Sequence, residues 1–172
     1  MKLQSLADLF QHELQDIYDA EYRIARALEK ASKKLSDPKL KKAAEEHLAE
    51  TETHIERIEQ VFESTGIAPK RKLCKGIQGI LEESEEVLAS DSSPEALDAA
   101  MIAGMQRVEH YEMAAYGCTI TYAKMLGEKD AEKLLKKNLD EEEKADKKLT
   151  KLAEHGVNEK AMYADGAAQV AM

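Results

Sequence analysis

Apolar residues recur at Leu6, Phe10, Leu14, Ile17, Ile24, Leu28 and Leu35, a helical period that predicts one long amphipathic helix, A. Ser5 with Asp8, just ahead of the run, supplies N-cap chemistry. Ser36-Asp37-Pro38 then gives a stop, an N-cap and a proline suited to a first helical turn. Leu40, Ala44, Leu48, Ile55, Ile58 and Phe62 carry helix B on to Gly66. The A–B loop is so short that B must fold back antiparallel to A. Gly66 and Pro69 end it, and residues 67–93 form a long connection with one shorter amphipathic helix, roughly 74–90. Ser93-Pro94 restarts the period through Met101, Met105, Val108, Thr119, Ala123 and Leu126 (helix C). Gly127 interrupts it, and Leu135, Leu139 and Leu149 (helix D) take it to Gly156.

Two tight hairpins joined by a long crossover are expected to pack as an all-α, ferritin-like four-helix bundle. The bundle is assigned to residues 1–158, and residues 159–172, which lack a core pattern, to a flexible tail. A shift of 91 residues lays Glu21 on Glu112 and Ala44, Leu48 and Ile58 on Leu135, Leu139 and Leu149. Any two amphipathic helices align somewhere, so an ancestral duplication stays open.

Composition narrows the function classes. A 172-residue chain can bury a real core, and 43% hydrophobic with 34% charged residues and no Trp fits a helical globular domain. The net charge of −9 argues against a nucleic-acid partner, since phosphate binding needs clustered Lys and Arg. The basic run Lys70-Arg71-Lys72 with Lys75 is read as solvated loop. No stretch approaches the ~20 apolar residues of a membrane span, and no signal pattern opens the chain, so a soluble, cytoplasmic protein is expected. Cys74 and Cys118 form neither a disulfide framework nor a metal-binding spacing.

The unusual chemistry lies on the inner faces of the helices. At 100° per residue, Glu21 falls about 40° from Ile17, and Glu112 within about 20° of Met105, Thr119 and Ala123. Glu109 flanks the helix C stripe, and Glu142 and Asp146 are central on helix D. On helix B, His47, Thr51 and His54 lie in or beside the stripe and Glu50 on its border. The two turns bring all of these to one level at mid-bundle. Burying unpaired carboxylates there costs several kcal/mol each, against the ~5–15 kcal/mol that holds a domain folded. No Lys or Arg shares the layer on the interior stripes, which leaves protons, ordered water or metal ions to neutralise it. Carboxylates with one or two imidazoles suit iron or manganese. The expected ligands are Glu21, Glu50, His54, Glu109, Glu112, Glu142 and Asp146; the alternative is a shared-proton and water network. His47 is read as a core histidine, His12, His110 and His155 as surface residues. Tyr18, Tyr111 and Tyr116 flank the layer as packing residues with bonded hydroxyls.

The stretches "LADLFQHELQDIYDAE", "HLAETETHIERIEQVFE", "VEHYEMAAYG" and "LLKKNLDEEEKADKKLT" resemble the ferritin-like superfamily, and more narrowly the YciE/YciF-type bacterial stress-protein family. That resemblance implies a bundle, often dimeric, linked to stress responses. In the wider superfamily, helices A and C each give a central Glu, and B and D each give Glu-x-x-His. Glu21 and Glu112 match. Thr51 stands where the helix B Glu would be, helix D has no His, and only Glu50, from the flank, offers a replacement. The expected function is a stress-response protein with a carboxylate-rich, dinuclear iron or manganese site, acting on O2 or peroxide as a ferroxidase- or peroxidase-like oxidoreductase. The alternatives are a non-catalytic dimeric helical interaction protein with a vestigial metal site, and a metal buffer without turnover.

Overall fold

The computed structural model describes residues 3–164. Its helices are α1 (Leu6–Ser32), α2 (Pro38–Thr65), α3 (Lys75–Ala89), α4 (Pro94–Leu126), α5 (Lys129–Leu152) and α6 (Asn158–Tyr163), with a π-helical turn, Ala153–Val157, before α6. There are no strands among the described residues.

Local chemistry sets the boundaries. The Ser5 hydroxyl accepts from the Asp8 N–H, the Asp37 carboxylate from the Lys39 and Leu40 N–H groups, and the Ser93 hydroxyl from the Ala96 N–H. Each satisfies donors that a first helical turn leaves free. Gly66 (φ 67°) and Gly127 (φ 82°) end α2 and α4 in the left-handed conformation, where glycine carries no Cβ penalty.

The chain forms an all-α, ferritin-like four-helix bundle. α1 packs on α2, α2 on α5, α5 on α4 and α4 back on α1, while α3 lies across α4 and α1. The connection into α3 is tied to α1 by the Lys72 N–H to the Gln15 carbonyl (3.1 Å), Arg71 to Asp19 (2.9 Å) and Lys72 to Asp16 (2.9 Å). Two members of the basic run expected to be solvated are therefore paired, because the crossover descends along an acidic edge of α1. At the other end, Asp98 of α4 accepts from the Ser36 N–H and hydroxyl and the Asp37 N–H, so the α1–α2 turn is held by a different hairpin.

Residues 159–163 are helical where a tail was expected. Gly156 kinks the chain without ending it, Val157 is buried, and Lys160 bonds the Asp37 carboxylate at 2.6 Å. The rest of the expected tail, 165–172, lies outside the described residues.

The core is divided. One apolar cluster gathers Phe10, Leu14, Ile17, Ile58, Phe62, Tyr116, Ala123 and Leu135. The other gathers Ile24, Leu28, Leu40, Ala44, Met101, Met105, Val108 and Leu149. On α2, α4 and α5 the buried residues between the two clusters are polar, and with Glu21 of α1 these form the site.

Candidate metal centre

Glu21 (α1), His47, Thr51 and His54 (α2), Glu109 and Glu112 (α4), and Asn138 and Glu142 (α5) are all buried between the apolar halves. Their ligand atoms form two groups, each able to surround one ion: His47, Glu109, Glu112 and Glu142, and Glu21, His54 and Glu142. Glu142 belongs to both. His47 Nε2 lies 3.2 Å from Glu109 and 3.7 Å from Glu142. His54 Nδ1 lies 2.9 Å from Glu142 and 3.4 Å from Glu21.

Closeness here is not pairing. Among the described residues, all nine buried side-chain oxygens and nitrogens without a hydrogen-bond partner belong to Glu21, His47, His54, Glu109, Glu112 and Glu142. Unsatisfied buried polar groups are rare in folded proteins, and one cluster of nine needs a cause. One ligand atom from each of these residues converges within 4.8 Å of the others in its group, as ligands around an ion do. The donor set fits such ions. Four carboxylates and two imidazoles are the same inventory as two Glu plus two Glu-x-x-His pairs, although Glu109 and His47 stand in for the missing helix B Glu and helix D His.

Electrostatics show how strongly the layer lacks positive charge. Burial, then the charges of Glu142 and Glu21, pushes the Glu112 carboxyl well above its ordinary value. Glu109 rises in the same way, by burial and Glu142. Burial also opposes charge on Glu142, but bonding and attraction to His54 and His47 outweigh it and hold that carboxyl low. Desolvation works against a charged His54 ring, yet Glu21 and Glu142 together push it up to about 11.

A supporting shell surrounds the acids. Tyr116, fully buried, donates its hydroxyl proton to Glu21 and accepts from Asn138 Nδ2 at 3.0 Å. Asn138 Oδ1 accepts from Arg57 at 2.9 Å, and Arg57 also pairs with Glu141. Glu141 lies 2.9 Å from His54 Nε2. An ionised carboxylate can only accept, so Nε2 carries the proton and Nδ1 faces the centre, the usual outer support of a metal-bound histidine.

The structure thus brings Glu21, His54, Glu109, Glu112 and Glu142 together and leaves two expected ligands at the margin. Glu50 is half exposed, 3.6 Å from His47 Nδ1. Asp146 bonds Gln106 at 2.9 Å and faces His110 at 3.3 Å, because one further turn of α5 rotates it about 40° from Glu142 and its side chain is short. His47, expected as a packed core histidine, lines the cluster with neither ring nitrogen bonded. Of the flanking tyrosines only Tyr116 touches it; Tyr18 bonds Glu59, and Tyr111 bonds Cys74 and Asp16. Asn138, Glu141 and Arg57 were not anticipated. Asn138, four residues before Glu142 on the same stripe, was visible as a polar interruption.

Comparison with known proteins agrees with this architecture. Residues 5–162 match the family described as a domain of unknown function, DUF892. The chain is 46% identical to protein YciF of Escherichia coli over 162 residues, 94% of this chain and 98% of that protein. The crystal structure of that stress protein superposes with a TM-score of 0.87, covering 91% of this chain and 99% of the other. YcfI of Rhodopseudomonas palustris superposes with a TM-score of 0.84 at 40% identity, covering 87% and 95%. No described helix is long and apolar enough to cross a membrane. With a family match across nearly its whole length and a bundle that superposes on YciF, the chain belongs to the DUF892 family of YciF-type stress proteins.

Proposed function

We propose that this stress protein holds a pair of iron or manganese ions at mid-bundle and uses them to reduce dioxygen or peroxide. The observation that carries this reading is the set of nine unpartnered ligand atoms in one buried layer. Charge balance supports two ions: four ionised carboxylates are neutralised by two divalent cations, with both imidazoles neutral. Glu142, common to both ligand groups, would help hold both ions. Glu21, His47, His54, Glu109 and Glu112 complete the shells; Glu50 and Asp146 stand outside them. Bound there, such a pair supplies one electron per ion to an oxidant. The chain's own part is orientation: Tyr116 fixes Glu21 and Glu141 fixes His54, between apolar clusters above and below the layer. A homodimer in the cytoplasm is the expected setting.

A second reading has its own support. With Glu109 and Glu112 protonated and His54 charged against Glu21 and Glu142, the layer is left with one net negative charge without metal, in place of four. The protein would then be a non-catalytic dimeric interaction protein with a vestigial site. Elemental analysis after anaerobic Fe(II) and Mn(II) loading separates the two. Two ions per chain, lost in Glu112→Ala/Glu142→Ala, is the expected result; no metal in the wild type overturns the metal reading.

A further inference from the structure

Two openings of different character reach the His47–Glu109 edge of the layer. One, between α2, α4 and α5, is the more polar, with Glu50, Lys144 and Lys148 on its walls beside Ala43, Ala145 and Leu149. The other lies under the crossover helix α3, between α1 and α4. Its walls are apolar, among them Ile24, Leu28, Leu81, Leu88, Met101 and Met105, and it too ends on His47 and Glu109. The Ser84 hydroxyl beside it is already bonded to the Ile80 carbonyl, and the ion pair Lys30–Glu85 stands at its solvent edge. Gly104 brings α3 down onto α4: a Cβ there would come within 2.8 Å of Ser84 Oγ.

This chamber gives the centres of water-sized molecules ≈ 40 Å³, room for about three at roughly 10–15 Å³ each. Between its inner end and the Lys30–Glu85 pair at its mouth, the walls are apolar apart from the Ser84 hydroxyl. Water needs several polar partners in a protein interior, whereas dry apolar cavities take up small uncharged guests such as xenon. Hydrogen peroxide would lose its bonds to water on entering and is better suited to the polar opening. Dioxygen has no such bonds to lose.

We propose that the apolar chamber under α3 is a binding site for dioxygen, and that it supplies the mid-bundle centre from the His47–Glu109 side. The inference rests on the metal reading of that layer and narrows its oxidant. Reduction of one dioxygen to hydrogen peroxide takes up two protons and two electrons, one from each of two Fe(II) ions that become Fe(III).

The first test needs no metal. Crystals of metal-free protein held under xenon are expected to show xenon between Leu81, Gly104 and Met105; an empty chamber overturns the inference. The second uses Ala27, half-buried in the chamber wall. With Fe(II) bound, Ala27→Phe is expected to slow oxidation by dioxygen roughly tenfold and leave oxidation by hydrogen peroxide within about twofold. Equal loss with both oxidants, or with neither, overturns the supply role. Ala27→Leu, a milder filling, repeats the comparison should the larger side chain prevent folding, and melting curves verify both variants. A wild type that takes up no iron overturns the metal reading and the supply role with it, while the xenon experiment still decides whether the chamber binds such guests.

Discussion

Replacing Glu112 by Gln should make the metal-free protein more stable. Both Glu112 oxygens lack partners in a fully buried position, and the carboxyl is raised well above its ordinary value by burial and by Glu142 and Glu21. A raised carboxyl means that the folded chain binds more protons than the unfolded one. Its contribution to stability is therefore whole below the unfolded value and is lost as pH rises through the folded one. Protonating an ordinary glutamate at pH 7 takes about 3.7 kcal/mol, which caps what this group can cost there. Glutamine has nearly the same volume and no charge, and its amide can donate to the neighbouring carboxylates. A gain of about 2–3 kcal/mol at pH 7 is expected, or a melting temperature about 4–12 °C higher for a chain of this size. Near pH 4.5 the advantage should almost vanish. Circular dichroism melts of chelator-dialysed wild type and Glu112→Gln at the two pH values measure both. With Fe(II) or Mn(II) present the variant should gain less than the wild type, having lost a ligand. A metal-free variant that melts no higher than wild type at pH 7, or whose advantage ignores pH, would refute the reasoning.

Tyr116→Phe strips Glu21 of its donor and Asn138 of its acceptor, and urea titration should find it about 1–3 kcal/mol less stable. Glu141→Ala leaves His54 Nε2 unsupported; calorimetric metal affinity should fall about 10–100-fold, with exposed Glu143→Ala as the unchanged control. Burial raises the Asp19 carboxyl, but Arg23, the Cys74 N–H and Arg71 outweigh it and hold the group below its ordinary value. A depressed carboxyl stabilises the fold above about pH 4 and loses that contribution as pH falls through its folded value. Asp19→Asn should accordingly flatten the acid-unfolding curve followed by circular dichroism in that window.

The fold was legible because periodicity and punctuation agreed. Asp37, Ser93, Gly66 and Gly127 are small-scale conformational requirements that sequence states directly, and loop length then dictates which helices run antiparallel. Glu21, Glu112 and Glu142 could be found because an acid on an apolar stripe breaks the pattern it sits in. His47 could not be assigned that way: a histidine on a stripe looks the same whether it packs or faces a cavity. Asp146 shows the limit of a helical wheel, which gives an angle but not whether a short side chain reaches. Arg57 and Glu141 lie off the stripes, and their roles depend on which helix stands opposite. The departure from Glu-x-x-His spacing counted against a full ligand set in one dimension; in three, Glu109 and His47 restore the number of donors from neighbouring turns.

The latch on the α1–α2 turn bears on how the chain matures. Ser36 waits for an acceptor 62 residues downstream in Asp98, and Asp37 for a lysine 123 residues away. A nascent chain leaves the ribosome from its N-terminus, so the first hairpin emerges with its turn unfastened and acquires both ties only once α4 and then α6 are made. A product cut short before Lys160 keeps the hairpins and the Asp98 tie but lacks this last fastening of the turn.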